Sequence, residues 1–240
     1  EANYETNISD FQLVSYILGR CATVDEVKAE IARVHIHGFD PRSSTVHWRF
    51  AEPSGRQIVL EVIDGKCIFY ENNLGVLTNS PSFDWQLTNL NNYVNLLPGR
   101  TEPHTIGNMS LSSFGGGSAM IGLPGDFTPP SRFVRAAFFQ NTAPQKPDAE
   151  GSVFTAFHIL GSMEIPIGAQ FPVDETPADI PSATQCTCVT DMSGLRFYYR
   201  SMYDGGIRCI DLKEINFKKI GLKSEPLVPS KKEFVHHIRF

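Results

Sequence analysis

The sequence predicts an α+β fold in which two antiparallel sheets carry helices on their outer faces, and three observations predict it. Two segments near the N-terminus and two in the middle of the chain place apolar residues at helical spacing. Between and after these pairs the period changes to two. Turn residues separate the alternating runs so closely that neighbours must pair as hairpins, giving antiparallel meanders with helices packed on sheet faces. With 240 residues, 41% of them hydrophobic and 20% charged, the chain has the composition of an ordinary soluble globular protein. That is enough for one substantial core, read as a single domain over 1–240.

The elements follow in order. Ser9 to Leu18 carries apolar residues at helical spacing, and Gly19 sits where a C-cap belongs. Thr23-x-x-Glu26 is a capping box, and Val24, Val27, Ile31 and Val34 form the apolar stripe of a second helix, with Asp25, Glu26, Lys28 and Glu30 outward. Both helices are expected to cover a sheet. Thr45 to Phe50, Gln57 to Ile63 and Cys67 to Glu71 read as strands separated by Pro53-Ser54-Gly55 and Asp64-Gly65, the latter a strong hairpin signal. Gly75 to Asn79 reads as a fourth strand, ended by Pro81.

Pro98 to Gly117 is rich in Gly, Ser, Pro and Asn, and reads as a long loop that is either functional or a surface excursion. Pro124 to Pro130 is a rigid turn after which Ser131 opens a helix through Phe139. A polar connector, Asn141 to Glu150, leads to a helix over Ser152 to Met163. Thr184 to Thr190, Leu195 to Tyr203 and Gly206 to Leu212 then alternate across Gly-containing turns, a second meander whose Tyr198, Tyr199 and Tyr203 face a core or a partner surface.

Charge and cysteine usage remove several function classes. The net charge is −5 and no Lys/Arg cluster exists, which argues against a nucleic-acid surface. No apolar run approaches the ~18 residues of a membrane span, and the first residues have no signal-peptide pattern. Cys21, Cys67, Cys186, Cys188 and Cys209 are odd in number, without C-x-x-C or histidines at zinc spacing, so they suggest neither a disulfide framework nor a metal site. They read as small buried hydrophobes. The adjacent His236-His237 lacks further ligands, and no cofactor or metal is expected.

Two residues stand out chemically. Asn79 lies in a Thr-Asn-Ser-Pro break after an apolar run, and its carboxamide either caps a turn or donates to an oxygen gaining negative charge. Arg132 falls in the first turn of a helix, where the macrodipole disfavours positive charge, so something must hold it there. That could be a carboxylate such as Asp126; or the guanidinium could serve a site, favouring a nearby thiolate or an anionic intermediate. Arg135, one turn on, reads as a packing or salt-bridge residue.

Thr78-Asn79-Ser80-Pro81-x-Phe83-Asp84-Trp85, then Asn89-Leu90-Asn91-Asn92-Tyr93, then Gly122-Leu123-Pro124-Gly125-Asp126-Phe127-Thr128-Pro129-x-Ser131-Arg132-Phe133 resemble the choloylglycine hydrolase family. This family comprises conjugated bile salt hydrolases and penicillin V acylases, within the N-terminal nucleophile hydrolases. The resemblance runs through nearly the whole chain. It implies a four-layer αββα sandwich, incomplete at the N-terminus, and hydrolysis of a linear amide. Glycine- or taurine-conjugated bile salts are the implied substrates, with penicillin V or another N-acyl amide as the alternative. The implied nucleophile is an N-terminal cysteine, whereas this chain begins Glu1-Ala2-Asn3-Tyr4. The chain is therefore expected to be the C-terminal major portion of such a domain and inactive alone. Asn79 is the implied oxyanion donor and Arg132 the implied neighbour of the nucleophile. Phe39, in the loop His37 to Ser43, is an implied contact at the mouth of the acyl pocket. Pro98 to Gly117 resembles the segment through which family members form homotetramers. A non-catalytic structural or binding descendant is the remaining class.

Overall fold

The predicted strand of Gln57 to Ile63 is the centre of the first unit of the computed structural model, which describes residues 5–38, 46–169, 183–228, 231–232, 235 and 237–238. β3 (Trp48–Ala51), β4 (Gln57–Ile63) and β5 (Lys66–Glu71) form an antiparallel meander with β4 in the middle. Asp64 and Gly65, both at positive φ, make the tight turn between β4 and β5. Successive side chains of a strand point to opposite faces, and here both faces are apolar. Ile58 and Leu60 are buried with Leu13, Ile17, Val24, Val27 and Ile31, while Val59 is buried with Val76, Phe83, Phe133 and Ala137.

The first of these faces is covered by α1 (Asp10–Leu18) and α2 (Val24–Ile31), as their apolar stripes predict. Each begins with a capping box, Ser9 with Gln12 and Thr23 with Glu26, and such caps are worth about 0.5–2 kcal/mol each. Glu52, in the β3–β4 turn, accepts a further hydrogen bond from Val24 N at 2.7 Å and ties α2 to the sheet. Around the helix pair lie two short strands that the sequence reading did not include, β1 (Asn7–Ser9) and β2 (His35–His37), which pair in parallel.

The opposite face is covered by α3 (Phe83–Asn89) and α4 (Pro129–Thr142). Phe83 and Phe133 meet edge to face, with ring centroids 6.1 Å apart. α3 continues as a 3-10 turn over Leu90–Tyr93, so the amide-rich stretch after Pro81 is helical. α4 begins at Pro129, two residues before the expected Ser131, because two prolines fit the first turn, where backbone N–H groups have no helical partner.

Two expectations in this unit are corrected. Gly75 to Asn79 belongs to no strand, and Asn79 lies in a bend. Side chains satisfy its backbone instead: Asn72 accepts from Gly75 N at 2.8 Å and donates to Val76 O at 3.1 Å, and Arg49 donates to Gly75 O at 3.0 Å. Gly75 has φ +75°, a backbone conformation that residues other than glycine adopt only under strain, and a Cβ there would also displace the end of the Gln140 side chain. Pro98 to Gly117 is not a structureless loop. It contains the hairpin β6 (His104–Ile106) and β7 (Met109–Leu111), and its base is closed by Gly117 N donating to Gly99 O at 2.7 Å.

The contacts divide the chain into two compact units, Glu1–Thr142 and Ala143–Phe240. In the second, α5 (Ala149–Gly161) starts three residues before the expected Ser152 because Asp148 caps it, accepting from Gly151 N. β8 (Cys186–Asp191), β9 (Arg196–Ser201) and β10 (Asp204–Asp211) form the predicted meander. Val153 and Phe157 of α5 bury Tyr198 of β9, which is thus a core residue; Tyr199 and Tyr203 stay partly exposed. The cysteines are also corrected: all five are free thiols, Cys67, Cys188 and Cys209 exposed and Cys21 and Cys186 intermediate. A small apolar side chain on a short meander faces solvent whenever no helix covers that face.

Candidate active site

The two sequence words meet in the first unit. Thr78 donates from its hydroxyl to Pro129 O at 3.1 Å, joining the Thr-Asn-Ser-Pro segment to the first turn of α4. The Ser80–Pro81 peptide is cis. One turn into α4, Arg132 Nη2 donates to Asn79 Oδ1 at 2.9 Å, and Arg132 Nε donates to Phe127 O at 3.0 Å. A carbonyl and a carboxamide oxygen therefore supply the negative partners that the macrodipole denies this end of the helix. Arg132 is half-buried, and burial, followed by neighbouring Arg135, lowers its pKa from the usual arginine value. It stays cationic, as arginine does in proteins.

An arginine has only donors, so the oxygen of the Asn79 amide must face it. The orientation of that amide is thereby fixed by chemistry. Its NH2 end points away from Arg132 and has no hydrogen-bond partner among the described residues, while Asn79 itself is exposed. A preset donor pair on an exposed lip beside a cation is an arrangement that can receive an oxyanion.

Asp126 does not hold Arg132. Its Oδ2 accepts from Ser131 Oγ at 2.6 Å and its Oδ1 from Thr128 N at 2.9 Å, and the Ser131 and Thr128 hydroxyls hold its carboxyl down at about 2. Asp126 thus folds the turn before α4 and closes the helix start. Arg135 is buried and donates to the carbonyls of Pro124 and Asp126, which makes it an anchor of the same turn. Phe39 lies outside the described residues.

Two groups behind the site were not singled out from sequence. Gln86 is 2% exposed, and its Nε2 donates to the carbonyl of Asn79 at 3.3 Å. Its signal is the helical spacing of Phe83, Gln86 and Leu90, an amide on an otherwise apolar face. Glu61 is equally buried, accepts from Phe83 N at 2.8 Å and lies 2.7 Å from His47 Nδ1. Burial pushes the Glu61 carboxyl up and the His47 imidazole down. The single acid inside the apolar run Gln57 to Ile63 was the visible trace of this pair. Glu61 fixes the start of α3, α3 carries Gln86, and Gln86 holds the backbone of Asn79.

Residues 1–225 match the family of linear amide C–N hydrolases, choloylglycine hydrolase family. The chain belongs to the choloylglycine hydrolase family. Relatives in this family include the bile salt hydrolase/transferase of Clostridium perfringens, 35% identical over 88% of this chain and 64% of that protein. The bile salt hydrolase/transferase of Lactiplantibacillus plantarum is 34% identical over 93% of this chain and 68% of its own length. A crystal structure of a mutant conjugated bile acid hydrolase from Clostridium perfringens superposes with a TM-score of 0.83 and 30% identity, covering 100% of this chain and 72% of that one. The α+β fold expected from the sequence is thus the fold of this family, and its reaction class is hydrolysis of linear amides. The chain spans about two thirds of the length of these family members.

Proposed function

We propose that this chain forms the oxyanion-binding part of a hydrolase that deconjugates glycine- or taurine-linked bile salts. The nucleophile in this reading is the N-terminal cysteine thiolate that the family resemblance implies. The thiolate attacks the amide carbonyl, the oxygen takes up negative charge, and Asn79 donates to it from Nδ2. The leaving amine takes the proton that the cysteine's own α-amino group removed from the thiol, a thioester remains, and water releases the bile acid. Arg132 orients the Asn79 amide and, as a nearby cation, favours thiolate over thiol. The observation that carries this reading is the 2.9 Å hydrogen bond from Arg132 to Asn79, which leaves the amide's donor end without a partner among the described residues. The names of the relatives support the substrate class.

The same proposal includes assembly as a homotetramer through Pro98 to Gly117. Ile106, Met109 and Phe114 are exposed along this hairpin segment, an apolar surface that a partner subunit would cover.

In protein that carries the nucleophile, Asn79→Ala lowers turnover of a glycine-conjugated bile salt by about 10²-fold or more, with an unchanged thermal midpoint. Activity lost only in proportion to folded protein would reduce Asn79 to a turn residue.

A further inference from the structure

Cys186 and Cys188 sit two apart on β8, so their side chains leave the same face of the strand. Their sulfurs are 3.4 Å apart, neither is in a disulfide, Cys188 is exposed and Cys186 is partly so. The residues opposite them on β9 are Ser201 and Tyr199, so neither cross-strand partner is a thiol. Cys186 is among the residues that line a cleft of about 260 Å³ with Glu164, Thr187 and Arg200, and the exposure of Cys188 leaves room beside its sulfur for a substituent. Glu164 itself is engaged by Arg200 and by the Thr187 hydroxyl.

This spacing selects among thiol chemistries. Strand rise puts residues two apart at a Cα separation of about 6.6–6.8 Å. That is the outer limit of about 6.8 Å at which a disulfide closes, and the S–S bond of about 2.05 Å would require the sulfurs to move together by more than an ångström. Zinc would spread them to about 3.8 Å at 2.3 Å per Zn–S bond and would demand four ligands. Among the described residues no group of three or more His, Cys, Asp or Glu is placed to hold a metal. A soft centre that needs only two sulfurs is what the pair suits.

We propose that Cys186 and Cys188 form a dithiol site that chelates one trivalent arsenic atom, taking an organoarsenical oxide through two As–S bonds. Each thiol gives its proton to the oxide oxygen; two As–S bonds form, the arsenic–oxygen bond breaks, and one water leaves. No atom is oxidised or reduced. Burial, then the hydrogen bond to Cys188, pushes the Cys186 thiol up to about 11, and the condensation consumes this protonated form. The site lies on the second unit and is independent of the amide hydrolysis proposed above.

The test treats the chain with phenylarsine oxide and follows its mass under native conditions. One arsenical less one water is expected per chain. It should survive excess 2-mercaptoethanol and be stripped by 2,3-dimercaptopropanol, as a chelate is. Cys186→Ser and Cys188→Ser each should lose the adduct that resists monothiol, with circular dichroism reporting that they fold. A triple variant, Cys21→Ser, Cys67→Ser and Cys209→Ser, should keep it in full. Retention in either folded single variant, loss in the triple variant, or no monothiol-resistant adduct on the parent chain would each overturn the proposal.

Discussion

At Arg132 one planar group holds two acceptors at once, Phe127 O through Nε and Asn79 Oδ1 through Nη2. Lysine keeps the charge but offers a single ammonium, which cannot reproduce that fork. In protein that carries the nucleophile, Arg132→Lys is therefore expected to retain part of the activity and Arg132→Ala almost none. Removing a nearby positive charge raises a thiol pKa, so the alkylation profile of the nucleophile should move to higher pH in the alanine variant. Superimposable profiles in the parent and both variants would leave Arg132 as an anchor of Asn79 and no more. Leu60, 0% exposed on β4, is the contrasting case: Leu60→Ala belongs to the class of core truncations that cost about 2–5 kcal/mol, with no specific effect on chemistry.

The element that sets Arg132 in place is the start of α4, and Asp126 closes it with bonds from Thr128 and Ser131. The Asp126 carboxyl is held at about 2 against an ordinary 3.8, so its folded-state pKa is depressed. Such a group contributes stability above pH 3.8 that is lost as pH falls towards 2. Asp126→Asn should accordingly lower the melting temperature at neutral pH and show a shallower acid limb, converging with the parent near the bottom of that window. A constant offset at every pH would mean that the carboxylate's charge is irrelevant to the turn. Local elements of this kind were readable from sequence: the capping box of α2, the Asp64-Gly65 hairpin and the two meanders each depend on residues within a few positions of one another, although the Ser9–Gln12 box of α1 was not picked out. Gly75 to Asn79 was misread because an apolar, pre-proline segment looks the same whether a neighbouring strand or the side chains of Asn72 and Arg49 satisfy its backbone. The site was harder. Arg132 and Asn79 are 53 residues apart, and helix reasoning alone left Asp126 open as the partner; the family resemblance pointed to the pair, and only the fold shows the bond. Gln86 and Glu61 escaped notice because a buried polar side chain is justified by partners that local sequence does not reveal.

Over the chain as a whole, the family match extends across both units, through residue 225, while the Arg132–Asn79 hydrogen bond lies in the first. The proposed assembly is a property at this scale. Removing residues 100–108, which takes out β6 and the turn before β7, should reduce the particle mass measured by light scattering while the remaining fold is kept; an unchanged mass would remove the assembly role of this segment. β4 has a further consequence. It is hydrogen-bonded along both edges, to β3 and β5, and covered on both faces by apolar side chains from four helices. Water has no small opening through which to reach the amides of Ile58, Val59 and Leu60. They exchange their hydrogens only when the sheet and both helical covers come apart together, so their rate is the clock of global opening for the unit that carries Asn79 and Arg132.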